Sequence, residues 1–193
     1  MKLFKRTYVN SKQNVLYTCW GLKKYHFGKL GENVRLISRG SFFGHSENIY
    51  ISDNVFIAGE TYMDAVSDIR VGSGVMIGPR CTFIGSTHNY DSEDLKALPY
   101  DNTILDRNIV IEKNVWIAAG VLVCPGTHIG EGAVIGAGVC VYGDIPPFSV
   151  VVSNGYRIVK ERNKETYQNL VNINAIYNVM FAGMPFEKRS DIK

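Results

Sequence analysis

The chain has 193 residues, of which 46% are hydrophobic and 20% charged, with a formal net charge of +3. That length fits one domain with room for a small appendage. So balanced a charge gives no electrostatic reason to expect a nucleic-acid partner. No apolar run is long enough to insert stably in a membrane: the best, Val15 to Leu22, is short and contains Thr, Cys and Gly. No small-residue cleavage pattern follows it, so no signal peptide is expected. The four cysteines, Cys19, Cys81, Cys124 and Cys140, form no Cys-x-x-Cys pair. A reduced, cytoplasmic protein is expected.

Residues 1–29 hold seven Lys or Arg and no Asp or Glu, with Tyr8, Tyr17, Trp20, Tyr25 and Phe27 interleaved. Two readings stand side by side: a patch for an anionic polysaccharide or membrane surface, or an aromatic cap with solvated lysines closing one end of a repeat fold. Repeats begin raggedly near Val34. They become regular at Ile51, Ile57 and Met63, with Val55, Thr61 and Ser67 four positions along. After two extra residues the register resumes at Val71, Ile77 and Phe83, with Val75, Cys81 and Thr87. Cys81 falls on an inward position and is expected in the core. Residues 88–108 break the pattern with polar and turn residues. A long irregular insertion in so regular a scaffold points to function.

From Ile111 to Asp144 the period is plain. Ile111, Ile117, Val123, Ile129, Ile135 and Val141 recur every six residues, and Val115, Val121, Thr127, Ala133, Val139 and Ile145 follow four places after each. A period of six is neither helical nor simple strand alternation. It describes one short strand plus one corner, with Gly and Asn supplying the corner angles. Three such units make one triangular coil, and coils stack about 4.8 Å apart. The expected fold is therefore a parallel β-helix. Pro146 and Pro147 end the repeats. Asn163 to Asn178 has helical spacing, with Leu170, Ile173 and Tyr177 on one stripe. This gives an N-terminal cap segment (1–33), a β-helix (34–152) carrying the loop 88–108, and a C-terminal extension with a helix (153–193).

His88 opens the loop one place after Thr87, where a corner residue would face outward. Taken alone it reads either as a surface histidine or as a general base, since an imidazole titrates near neutral pH. Thr87-His88-Asn89-Tyr90-Asp91, then Asn-Val-Trp-Ile-Ala-Ala-Gly, Pro-Gly-Thr-His-Ile-Gly, Ile-Gly-Ala-Gly and Asp-Ile-Pro-Pro, follow in order. This run resembles the hexapeptide-repeat O-acetyltransferases that act on maltose, galactosides and surface polysaccharides, over about residues 49–162.

The resemblance implies a left-handed coil, although parallel crossovers are generally right-handed. It implies an all-β fold with a protruding loop and a short C-terminal helix, assembled as a homotrimer with active sites between subunits. It further implies direct transfer from acetyl-CoA to a saccharide hydroxyl of a surface polysaccharide such as capsule or O-antigen, or of its precursor, with His88 as general base. Backbone N–H groups near the corners would be natural oxyanion donors.

By the same resemblance Trp116, Ala119, Gly136 and Ala137 line the cofactor groove, and Arg157 and Lys160 face the CoA phosphates. Trp116 also reads as an aromatic at a subunit interface, and the two basic residues as solvated cations. Asp64, Asn89 and Asp91 are candidate acceptor contacts or turn residues.

Three departures stand out. Tyr142-Gly143 replaces the family's Thr-Lys, Ser153-Asn154-Gly155-Tyr156 replaces Gly-Asn-Pro-Ala, and Ala58 stands where maltose and galactoside enzymes carry Asn. His128, placed in the same corner slot as His88, is similar to the zinc-binding histidines of γ-class carbonic anhydrases. Three histidines would be needed there, and His26 and His45 lie outside the clear repeats. No metal is expected. Two other functions fit the same scaffold: an N-acetyltransferase of an amino sugar or nucleotide-linked amino sugar, and a non-enzymatic trimeric scaffold.

Overall fold

The computed structural model describes residues 7–10, 15–18, 25–152, 163–173, 175 and 187–189. Two strands come first, β1 (Thr7–Asn10) and β2 (Val15–Thr18), paired antiparallel. The coil then runs through repeating triplets of short strands. The first coil takes β3 (Lys29–Leu30), β4 (Arg35–Ile37) and β5 (Phe42–Gly44); the second takes β6 (Ile49–Ile51), β7 (Phe56–Ile57) and β8 (Tyr62–Asp64). The third takes β9 (Ile69–Val71), β10 (Met76–Ile77) and β11 (Thr82–Ile84). A hairpin of β12 (Ser86–His88) and β13 (Thr103–Asp106) interrupts. The coil resumes with β14 (Ile109–Ile111), β15 (Trp116–Ile117) and β16 (Leu122–Val123), then β17 (His128–Ile129), β18 (Val134–Ile135) and β19 (Cys140–Val141), and ends on β20 (Asp144–Ile145) and β21 (Val150–Val151).

Each member of a triplet stacks in parallel on its counterpart in the next coil. This gives three faces: β3-β6-β9-β14-β17-β20, then β4-β7-β10-β15-β18-β21 extended by β2 and β1, then β5-β8-β11-β16-β19. The fold is a left-handed parallel β-helix of about six turns. All six hexad aliphatics from Ile111 to Val141 are buried, as are Val115, Val121, Thr127, Ala133 and Val139 four places along. Cys81 is in the core, with its thiol 3.1 Å from the Ala118 carbonyl oxygen, and burial pushes that thiol up from its ordinary value.

The corners explain the Gly and Asn content. Asn33, Asn54, Gly74, Asn114 and Gly132 occupy one corner of successive coils, all at positive φ between 51° and 74°. Four of them donate their N–H to the coil before: Asn54 to Glu32 O (2.9 Å), Gly74 to Asp53 O (3.0 Å), Asn114 to Ser73 O (2.9 Å) and Gly132 to Lys113 O (3.0 Å). Gly and Asn tolerate this left-handed region best. Glu60 and Arg80 sit in it as well, at φ 61° and 58°, so the next corner carries strain that the sequence pattern does not announce.

Three expectations about inward positions fail, and Ile145, where the repeats end, is one: it is only half-buried. Ser67 is only half-buried, because the two-residue insertion moves the inward slots to Ala65 and Ile69. Thr87 is exposed and His88 half-buried, not the reverse. After Gly85 the chain pairs antiparallel with β13 (Ser86 opposite Asp106, His88 opposite Ile104), so its alternation belongs to the hairpin and not to the coil.

The chain divides into two compact units: Met1–Gly85 with Arg107–Ser153, and Ser86–Asp106 with Asn154–Lys193. The second unit therefore joins the inserted hairpin to the C-terminal segment. Its helix α1 (Lys164–Asn172) starts at Asn163, whose Oδ1 accepts from Thr166 N at 3.0 Å. Leu170 and Ala175 are buried with Leu95 and Leu98 of the insertion. A last strand, β22 (Glu187–Arg189), runs parallel to β13. The expected stripe is corrected at Ile173, which is 71% exposed: the helix stops at Asn172 and Ala175, bonded back to Leu170 O at 2.9 Å, takes the inward place. Tyr177 lies outside the described residues.

Two substitutions test the coil. Ile117→Ala should lower unfolding free energy by about 2–5 kcal/mol, read from the urea midpoint, because it empties a fully buried site. Arg80→Gly should raise it by about 1 kcal/mol by relieving the left-handed corner.

Candidate active site

His88 is the last residue of β12, and its ring stacks on Tyr100 with centroids 3.9 Å apart and planes 10° from parallel. Burial pulls the imidazole below its ordinary value near 6.5, partly offset by the negative charge of Asp101. The neutral, proton-accepting form is therefore favoured. Asn89 is buried, and its amide donates to Ser92 Oγ at 2.8 Å and Asp101 Oδ2 at 2.9 Å. Asp91 Oδ1 accepts from Asn163 N at 2.7 Å, tying the insertion to the start of α1. Asn89 thus bonds within the insertion, and Asp91 bonds across to the C-terminal segment.

Asp64 belongs to the coil unit. Its Oδ1 lies 3.0 Å from His45 Nδ1, and His45 is itself in the left-handed region at φ 50°. Two strand positions away, Tyr62 stacks on Phe42 with centroids 5.1 Å apart and planes 20° from parallel. Burial, and then the Asp64 charge, raise the Tyr62 phenol. Gly44 keeps this spot open: a Cβ would meet the Phe42 ring at 2.8 Å and Asp64 Oδ1 at 3.0 Å, so one of those side chains would have to move. The sequence reading weighed His45 only as a zinc candidate, because it lies outside the regular hexads. Only its pairing across one coil to Asp64 reveals it.

The cofactor candidates of the coil cluster by register. Trp116 is 55% exposed on the outer side of β15. Ile117 pairs with Ile135, so Ala119 sits one rung from Ala137, and Gly138 N donates to Ala119 O at 2.9 Å. Gly136 approaches the next coil closely, since a Cβ there would stand 3.0 Å from Val151 O. The amides of Ala118, Gly120, Gly136 and Gly138 all donate to neighbouring coils. Those four corner N–H groups are thus committed to the scaffold and not to an oxyanion. Arg157 and Lys160 lie outside the described residues, as does Cys19.

His128 is in strand β17 and not at a corner. Its Nε2 is 3.2 Å from Glu112 Oε1 and its Nδ1 3.5 Å from Asp144 Oδ1. Cys124 and Cys140 bring their sulfurs to 3.6 Å, and burial together with Cys140 pushes the Cys124 thiol up to about 11. No helix among the described residues is long and apolar enough to cross a membrane.

The family profile for the bacterial transferase hexapeptide (six repeats) matches residues 108–143. No curated protein sequence matches the chain. Among solved structures, a hexapeptide-repeat-containing acetyltransferase from Vibrio cholerae is 30% identical with a TM-score of 0.59, over 69% of this chain and 73% of that one. A maltose O-acetyltransferase from Clostridium difficile is also 30% identical, with a TM-score of 0.58, over 71% of each chain. A galactoside acetyltransferase solved with coenzyme A is 27% identical, with a TM-score of 0.55, over 69% of this chain and 66% of that one. The stacked hexads, the inserted hairpin and these likenesses together show that the chain belongs to the hexapeptide-repeat acetyltransferases and is an acyltransferase.

Proposed function

We propose that the protein transfers an acetyl group from acetyl-CoA directly to a sugar hydroxyl, with His88 as general base. The observation that carries this is the His88 imidazole, held flat against Tyr100 and biased by burial toward its neutral form. The neutral ring takes the hydroxyl proton as the oxygen attacks the thioester carbonyl. The tetrahedral oxyanion then collapses, and the departing CoA sulfur takes the proton from the imidazolium. No acyl-enzyme is formed, so the raised thiols of Cys81 and Cys124 have no part in the chemistry.

Acetyl-CoA as donor is supported by the acetyltransferase relatives, among them a 27% identical structure from Vibrio cholerae, TM-score 0.50, that is complexed with acetyl-CoA. Ala119, Gly136, Ala137 and Trp116 are the coil's contacts for its pantetheine arm. Arg157 and Lys160 serve its phosphates. Asp64 is the coil's acceptor contact, and the neighbouring aromatic pair of Phe42 and Tyr62 offers flat faces to a pyranose ring. Met63-Asp64-Ala65 supports a surface polysaccharide or its precursor as acceptor. Assembly as a homotrimer, with active sites between subunits, is supported by the apolar row Phe56, Met76, Trp116, Val134 and Val150. These residues are in register on the outside of one face, where Met76, Trp116 and Val150 are exposed.

His88→Ala should cut kcat by about 100- to 10,000-fold, measured by release of the CoA thiol, with the thermal midpoint unchanged. Near-full activity in that variant defeats the mechanism. Hydroxyl and amine acceptors compared in the same assay decide between O- and N-transfer, and hydroxyl acceptors are expected to be preferred. The acid limb of kcat/KM should have its midpoint below the ordinary imidazole value near 6.5, because lowering the pKa keeps the base neutral to lower pH. A limb centred above 7 contradicts the assignment.

A further inference from the structure

Asp101 is 1% exposed and uses both carboxylate oxygens. Oδ2 accepts from Asn89 Nδ2 at 2.9 Å and Lys96 N at 3.2 Å, and Oδ1 accepts from Thr103 N at 2.8 Å. The backbone repeats the tie: Asp101 N donates to Asn89 O at 3.1 Å, and Asn89 N to Thr103 O at 3.0 Å. A buried carboxyl is costly unless its oxygens are filled in this way. Asn89 directly follows His88, and Asp101 directly follows Tyr100. The doubled tie between Asn89 and Asp101 therefore sits one residue downstream of both stacked rings and clamps them face to face.

We infer that Asp101 and Tyr100 are positioning residues for His88: the buried carboxylate locks the turn, Tyr100 holds the imidazole plane, and the Asp101 charge favours the imidazolium formed when the proton is taken. This rests on the reading of His88 as the base. An imidazole that gains positive charge near a fixed, poorly solvated negative charge is stabilised more than it would be in water. Tyr100 removes the rotation that a general base must otherwise lose at each turnover. From β13, His88 faces the uncharged Ile104, beyond which Lys188 holds the next register position on β22; from the turn it meets Tyr100 and Asp101. The carboxylate is thus the acidic group of this set.

The test uses the full-length protein and an NMR titration of the imidazoles, with His88 assigned from its loss in His88→Ala. In Asp101→Asn the His88 midpoint should fall, because the charge that raises it is gone. The acid limb of kcat/KM should fall with it, and kcat should drop about 10- to 100-fold while KM for acetyl-CoA holds. A purely structural role would lower the thermal midpoint and leave the His88 titration where it was. Should Asp101→Asn not fold, Tyr100→Phe and Tyr100→Leu decide. Phe, which keeps the stack, should retain kcat, and Leu should lose about tenfold. An unmoved His88 midpoint in folded Asp101→Asn, or full kcat in Tyr100→Leu, overturns the inference while His88→Ala remains inactive. Activity surviving in His88→Ala instead strikes the base assignment itself.

Discussion

Every feature of the coil depends on backbone hydrogen bonds that run from one turn to the next. Ser52 N donates to Val71 O at 2.9 Å, Gly72 N to Ile111 O at 2.8 Å, Glu112 N to Ile129 O at 2.9 Å and Gly130 N to Ile145 O at 2.8 Å. Because these bonds fix each rung directly over the last, the inward side chains form continuous columns. One slipped residue would turn a column inside out. The aliphatic repeat is the trace of this constraint in the amino-acid order. The left-handed corners are its cost, spread over Asn, Gly and a few strained residues such as Arg80.

That constraint also explains what could be read without coordinates. The columns from Ile111 to Val141, the core position of Cys81 and the interruption after Phe83 were all legible, because a strict period states its own geometry. The insertion was not. There the local alternation belongs to a hairpin, so Thr87 and His88 exchange the exposures that the coil's period assigns them. Ile173 misled for a related reason: helical spacing cannot tell where a helix stops, and α1 stops one residue short of it.

The candidate base was readable as a residue and its surroundings were not. His88 stands out because it opens a long interruption in a regular scaffold. Its partners do not, since Tyr100 and Asp101 come twelve and thirteen residues later among other turn-forming residues. Only folding shows that the acidic side chain is buried and that the aromatic ring lies flat on the imidazole. The pairing of His45 with Asp64, nineteen residues apart in the chain, is hidden in the same way.

Val71 and Ile111 stack with the same parallel register that links Ile111 to Ile129, although forty residues separate the first pair and eighteen the second. The scaffold is thus indifferent to what is spliced between β11 and β14. That cassette can be lengthened, shortened or exchanged without shifting the register of the coil on either side of it. An engineer could graft it in the same way.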